Sequence, residues 1–131
     1  INAGNTYMEL EENDSALVYL RHAVDTNPDN FIAVYNLGLV YHVMNIYDSA
    51  IVYIQQAIRM EPARGETYYQ LACTYALHNK PEQAILYLRQ AYERGYKNKE
   101  SLLTDPDLFE LKNYKEFQAL LDKYIPGWKE R

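Results

Sequence analysis

Only one cysteine, Cys73, occurs in 131 residues, which excludes an internal disulfide and a zinc site built from several thiolates. Glycine and proline supply five residues each, too few for a collagen-like or low-complexity chain. No apolar run approaches the ~20 residues that span a bilayer. Residues 1–15 also lack the basic stretch and apolar run of a secretory leader. Ile1 stands where an initiator methionine would, so the chain reads as a piece of something longer. Basic side chains are scarce in the first half: residues 1–58 set Arg21 against Glu9, Glu11, Glu12, Asp14, Asp25, Asp29 and Asp48. Residues 59–131 carry 12 basic and 11 acidic side chains, and the whole chain is at −5. That balance argues against a broad grip on nucleic acid. The acidic half reads as a solvated surface, with a basic partner steered toward it as the sharper alternative.

The furniture of catalysis is missing too. There is no G-x-x-x-x-G-K-[ST] and no G-x-G-x-x-G, and the glycines stand singly. His22, His42 and His78 fall on separate segments without H-x-x-x-H or H-E-x-x-H spacing, so no metal pair is encoded locally. Cys73 has alanine, leucine and tyrosine around it and no neighbouring base, which suits a packed or groove-lining thiol. Glu11-Glu12-Asn13-Asp14 reads as a solvated turn, since an EF-hand's spaced acids and central glycine are absent. The chain is therefore read as non-catalytic, with no cofactor and no metal. A lone cysteine suits the cytoplasm, the expected compartment, and is compatible with the periplasm.

What the chain does have is hydrophobic content of 48%, charged content of 24%, and a tyrosine surplus: 14 of 18 aromatic residues. These place it among globular chains. Stepping by 34 residues explains part of the surplus. Tyrosine recurs at Tyr7, Tyr41, Tyr75 and at Tyr19, Tyr53, Tyr87. Alanine recurs at Ala16, Ala50, Ala84 and at Ala23, Ala57, Ala91. Similar residues share further columns, among them Gly4, Gly38, Ala72 and Leu20, Ile54, Leu88. Within 31–64, Val34, Leu37, Gly38 and Tyr41 follow helical spacing, and Ala50, Ile54 and Ala57 mark a second helix. Asp48 is the expected N-cap of that second helix, and Pro62 stops it near Met60 or Glu61. Each unit is thus an antiparallel helix pair that buries its apolar faces by stacking on neighbours.

At these columns the sequence resembles the tetratricopeptide repeat, a 34-residue helix–turn–helix unit. The resemblance implies an all-α, right-handed α-solenoid of antiparallel helix pairs, about three units long. An N-terminally truncated unit spans 1–30, complete units span 31–64 and 65–98, and a capping segment spans 99–131. Register fails beyond the third unit, where Leu71 maps to Asp105 and Ala72 to Pro106. Short helices are expected at 100–103 and at 106–111, the latter capped by Asp105. A last one at 114–124 carries the stripe Phe117, Leu120, Leu121, Tyr124. The order Gly95-Tyr96, Asp105-Pro106-Asp107-Leu108, Phe117–Leu121 also resembles the terminating segment of bacterial tetratricopeptide proteins.

Function in such an array resides in a surface. The resemblance implies that the first helix of each unit lines a concave groove holding a partner's peptide or helix. The residues that the packing columns leave free are Ile32, Tyr35, Asn36, Leu39 and His42, then Tyr69, Gln70, Cys73 and Leu77, with Asn5 in the first unit. Domains of this family that clamp acidic chaperone tails use two asparagines and three basic residues. Asn5 and Asn36 match the asparagines, but Ile1, Glu66 and Gln70 stand where the cations would be, which disfavours that ligand. An apolar, tyrosine-lined groove remains, and the covering of part of it by other segments is the competing reading. The expected function is a non-catalytic protein–protein interaction module or scaffold. A regulatory segment of a larger enzyme is the alternative, and self-association through the N-terminal end is a third reading.

Overall fold

A computed structural model describes the backbone of residues 3–131 and the side chains of residues 12–131. The described chain is all helical: α1 (Ala3–Thr26), α2 (Phe31–Val43), α3 (Tyr47–Met60), α4 (Gly65–Leu77), α5 (Pro81–Glu93), α6 (Ser101–Thr104), α7 (Lys115–Tyr124), with 3-10 turns at Pro106–Leu111 and Trp128–Glu130. These elements form two compact units, 1–62 and 63–131.

In the first unit, α2 and α3 make an antiparallel hairpin whose seam is the repeat columns. Ala50, Ile54 and Ala57 are fully buried. Gly38 sits where a Cβ would lie 2.7 Å from the Ile54 Cγ1, so the two helices approach as closely as backbone allows. The rings of Tyr41 and Tyr53 stack with centroids 5.7 Å apart. The connection is set by Asn45, which adopts the left-handed conformation at φ 64°. The following Ile46 N–H then donates to the Tyr41 carbonyl at 2.9 Å, and the Asn45 N–H to His42 at 3.0 Å. This is a Schellman closure, which satisfies carbonyls that the helix end would leave unpaired. Ile46, not Asp48, occupies the N-cap of α3; Asp48 lies in the first turn, where its carboxylate complements the helix dipole.

The second unit repeats these devices. Ala84, Leu88 and Ala91 are fully buried, Tyr75 stacks on Tyr87 at 5.6 Å, and Asn79 takes φ 58°. Lys80 donates to the Tyr75 carbonyl at 2.9 Å, as Ile46 does to Tyr41. Beyond α5, Gly95 at φ 88° closes the helix in the same way, with the Tyr96 N–H reaching the Ala91 carbonyl at 3.0 Å. Asp105 caps the Pro106–Leu111 turn by accepting from the Asp107 N–H at 3.0 Å. Phe117, Leu120 and Leu121 of α7 are buried, as their spacing predicts.

The first repeat departs from expectation. Its two helices are not separated: α1 runs unbroken through Glu11-Glu12-Asn13-Asp14, so no turn forms there. The cause lies in the turn column. Where Asn45 and Asn79 turn the later repeats, the first has Glu11. A non-glycine residue without a short amide side chain costs roughly 1–2 kcal/mol in the left-handed region. The helix therefore continues.

Candidate binding surface

Two first helices carry the predicted groove residues, and the structure treats them differently. On α2, no side chain is formally charged and apolar residues occur on every face. A helix that is apolar all round is normally enclosed, yet Ile32 and Val43 are 65% and 61% exposed. Tyr35, Asn36 and Leu39 are half-buried on the same helix. The ring of Tyr35 stacks on Phe31 at 5.8 Å, which holds a flat aromatic surface beside Ile32. His42 is not part of this surface. It is buried, with its ring edge-on to Tyr47 at 6.0 Å, and so belongs to the hairpin connection.

On α4 the predicted groove residues are largely covered. Tyr69 and Cys73 are buried, together with Ala76. Their cover is the segment that follows the repeats. The Tyr69 hydroxyl donates to the Asp105 Oδ2 at 2.6 Å, and the Cys73 thiol lies 3.7 Å from the same oxygen. The Tyr69 ring stacks on Tyr96 at 4.4 Å. Nearby, the Tyr92 hydroxyl donates to the Asn98 carbonyl at 2.9 Å and closes the loop leading to α6. Gln70 and Leu77 remain half-buried. Asn5 lies outside the residues whose side chains are described.

Burial governs the ionisation of this cluster. It pushes the Tyr69 hydroxyl and the Cys73 thiol well above their ordinary values, and the carboxylate of Asp105 adds to both shifts. Tyr92 is pushed up to about 12, again chiefly by burial. Cys73 is therefore a neutral thiol at physiological pH, neither a nucleophile nor a ready metal ligand. Cys73, Asp105 and Asp107 do bring ligand-type atoms within 4.8 Å of one another. Both oxygens of Asp105 are engaged, however, one by the Asp107 N–H and the other by Tyr69. The chemistry of this cluster is that of a helix cap tied to the repeat beneath it.

Sequence columns could not show this cover, because Asp105 lies beyond the register of the repeats. The signal available was the end of the array itself: an apolar first-helix face with no following repeat requires something to cover it.

This geometry defines the class. Helix hairpins of 34-residue period, with small residues at the seam and left-handed asparagines at the turns, are tetratricopeptide units. Profiles of that family match the chain: one described as a TPR repeat over residues 4–45, and one described as a tetratricopeptide repeat over 32–64 and 65–94. The chain belongs to the tetratricopeptide repeat family, a family of protein-interaction modules. No curated protein matches it by sequence. Among solved structures it resembles the crystal structure of YrrB, a TPR protein with an unusual peptide-binding site. The TM-score is 0.66 at 22% identity, covering 96% of this chain and 67% of YrrB. At that identity the likeness is one of fold. Among the described residues, no helix is long and apolar enough to cross a membrane.

Proposed function

We propose that the chain is a non-catalytic interaction module that holds a peptide or helix of a partner protein against α2. The observation that carries this reading is the exposure of Ile32 on a helix with no charged side chain, beside the stacked rings of Phe31 and Tyr35. Tyrosine offers large contact area at low entropic cost, and Asn36 offers an amide to a peptide backbone. A partner with apolar anchors fits this face. Basic residues flanking the anchors would be steered by the unit of residues 1–62, which carries 8 acidic and 2 basic side chains. The peptide binding described for YrrB is consistent with this reading.

The test is to select peptides from a random displayed library and measure their affinity by fluorescence anisotropy. Ile32→Asp and Tyr35→Ala are expected to weaken the selected peptides roughly tenfold or more, the usual cost of losing an interface anchor. Leu86→Asp, on α5, serves as the control and leaves affinity unchanged. Equal affinity in all three variants would remove α2 as the binding surface.

A further inference from the structure

A cleft of about 480 Å³ lies between α5 and the start of α7, lined by Glu82, Ile85, Leu86, Arg89, Tyr114 and Glu116. The four α5 residues follow at i, i+3, i+4 and i+7, so they form one stripe along the helix. Ala84, Leu88 and Ala91, on the other side of α5, are fully buried, and Ile85 is buried within the stripe. Leu86 and Tyr114 are 44% and 41% exposed. A single exposed leucine calls for no explanation; the charges around this one do. Among the described residues, Glu82, Arg89 and Glu116 form no ion pair. Tyr114 also borders a small hollow with Ala76, Asn79 and Pro81, which sets it at the N-terminal end of the stripe, beside Glu82. That end offers a carboxylate and an aromatic face, the two surfaces that a guanidinium engages. Arg89 stands two turns further on, about 10.5 Å along the axis.

We propose that the cleft is occupied by α5 of a second copy of the chain, laid antiparallel with the two-fold axis between Ile85 and Leu86. That point is also the midpoint of Glu82 and Arg89. One rotation therefore sets Glu82 against the partner's Arg89 and Arg89 against the partner's Glu82, while Leu86 is covered by its own counterpart across the axis. An isologous contact requires a patch that complements itself. Acid, apolar pair and base in that order meet the requirement, whereas a parallel arrangement would set Glu82 on glutamate and Arg89 on arginine. The partner's Arg89 also reaches the ring of Tyr114, which holds no cation among the described residues. One helix face covers less than the ~800 Å² per partner of a standard interface, so the association is weak. Its charge pairs are of opposite sign, so salt loosens it.

Sedimentation equilibrium of the 131-residue chain at up to about 1 mM, the concentration range that a small interface requires, tests the proposal. The mass is expected to rise toward twice the 15.4 kDa of one chain and to fall back as salt is added. Glu82→Arg opposes arginine to arginine, and Arg89→Glu opposes glutamate to glutamate. Each alone is expected to weaken association roughly tenfold or more. Mixed together, the two variants recover both opposite-charge pairs and are expected to regain it. Both positions are exposed, so the helical circular dichroism stays that of the parent chain. Neither variant alters α2, so the affinity of peptides selected on α2 is unchanged, and failure here leaves that reading intact. A chain that stays monomeric at that concentration, its cleft left to a foreign helix, would overturn the proposal. So would single variants that associate as well as the parent chain, or a mixture no tighter than either variant alone.

Discussion

Replacing Tyr69 with phenylalanine separates the two roles its position could have. The substitution keeps the ring that stacks on Tyr96 and deletes only the hydroxyl, which donates to the Asp105 Oδ2 at 2.6 Å. That oxygen is left with the Cys73 thiol at 3.7 Å, a weak donor at long range. Hydrogen bonds to charged groups contribute about 1.5–3 kcal/mol. Asp105 is only partly buried, and water can replace part of the loss, so the lower end applies: about 1.5 kcal/mol. With unfolding entropy of roughly 2.1 cal/mol/K per residue over 131 residues, the melting temperature should fall by about 5 °C. Thermal denaturation followed by circular dichroism at neutral pH measures this directly. The same variant should bind selected peptides as tightly as the parent chain. A melting temperature within 1 °C of the parent, together with weakened peptide binding, would refute the reasoning and return Tyr69 to an open groove.

Two further outcomes are expected. Alkaline pH should destabilise the fold. The Tyr69, Tyr75, Tyr92 and Tyr96 hydroxyls and the Cys73 thiol all have raised folded pKa values, from ordinary values of 10.0 and 9.0, chiefly through burial. For groups raised in the folded state, the neutral form favours folding. The stability is complete below the unfolded pKa values and falls as pH rises above about 9. Tyrosinate absorbance at 295 nm should then appear together with unfolding, and its full appearance in a chain that keeps its helical signal would contradict this. Gly38→Ala should destabilise despite alanine's better helix propensity. Its Cβ would lie 2.7 Å from the Ile54 Cγ1 and 3.2 Å from the Ile54 backbone nitrogen, in a seam with no room to yield. Overpacking of about 1–3 kcal/mol should outweigh the ~1 kcal/mol gain in propensity, and urea denaturation would show the sign.

The repeat columns made most of the fold legible before any coordinates. A period of 34 named the hairpins, their seam residues and their approximate ends, because an array must present the same small residues at the same contacts. Two things escaped it. The Tyr69 and Cys73 environment depends on a segment outside the repeat register, which returns to cover α4 through Asp105. The straight α1 depends on a single column, Glu11 against Asn45 and Asn79, whose meaning is conformational. Glutamate and asparagine look interchangeable as polar surface residues, and only the left-handed turn distinguishes them. Of the candidate surface, Ile32, Tyr35, Asn36 and Leu39 keep some exposure on α2. His42 does not, because the connection between α2 and α3 folds Tyr47 against it.

The burial of Cys73 gives the molecule a built-in clock. As the chain's one thiol, it is shielded on α4 and held neutral beside Asp105. A thiol reagent can reach it only when the fold around it opens. Its labelling rate under native conditions, divided by that of the denatured chain, therefore gives the fraction of time this part of the molecule stands open. Comparing that fraction with the equilibrium constant for global unfolding would show whether the terminal cover opens independently or only with the repeats beneath it. No engineered residue is needed, since Cys73 is the chain's own thiol.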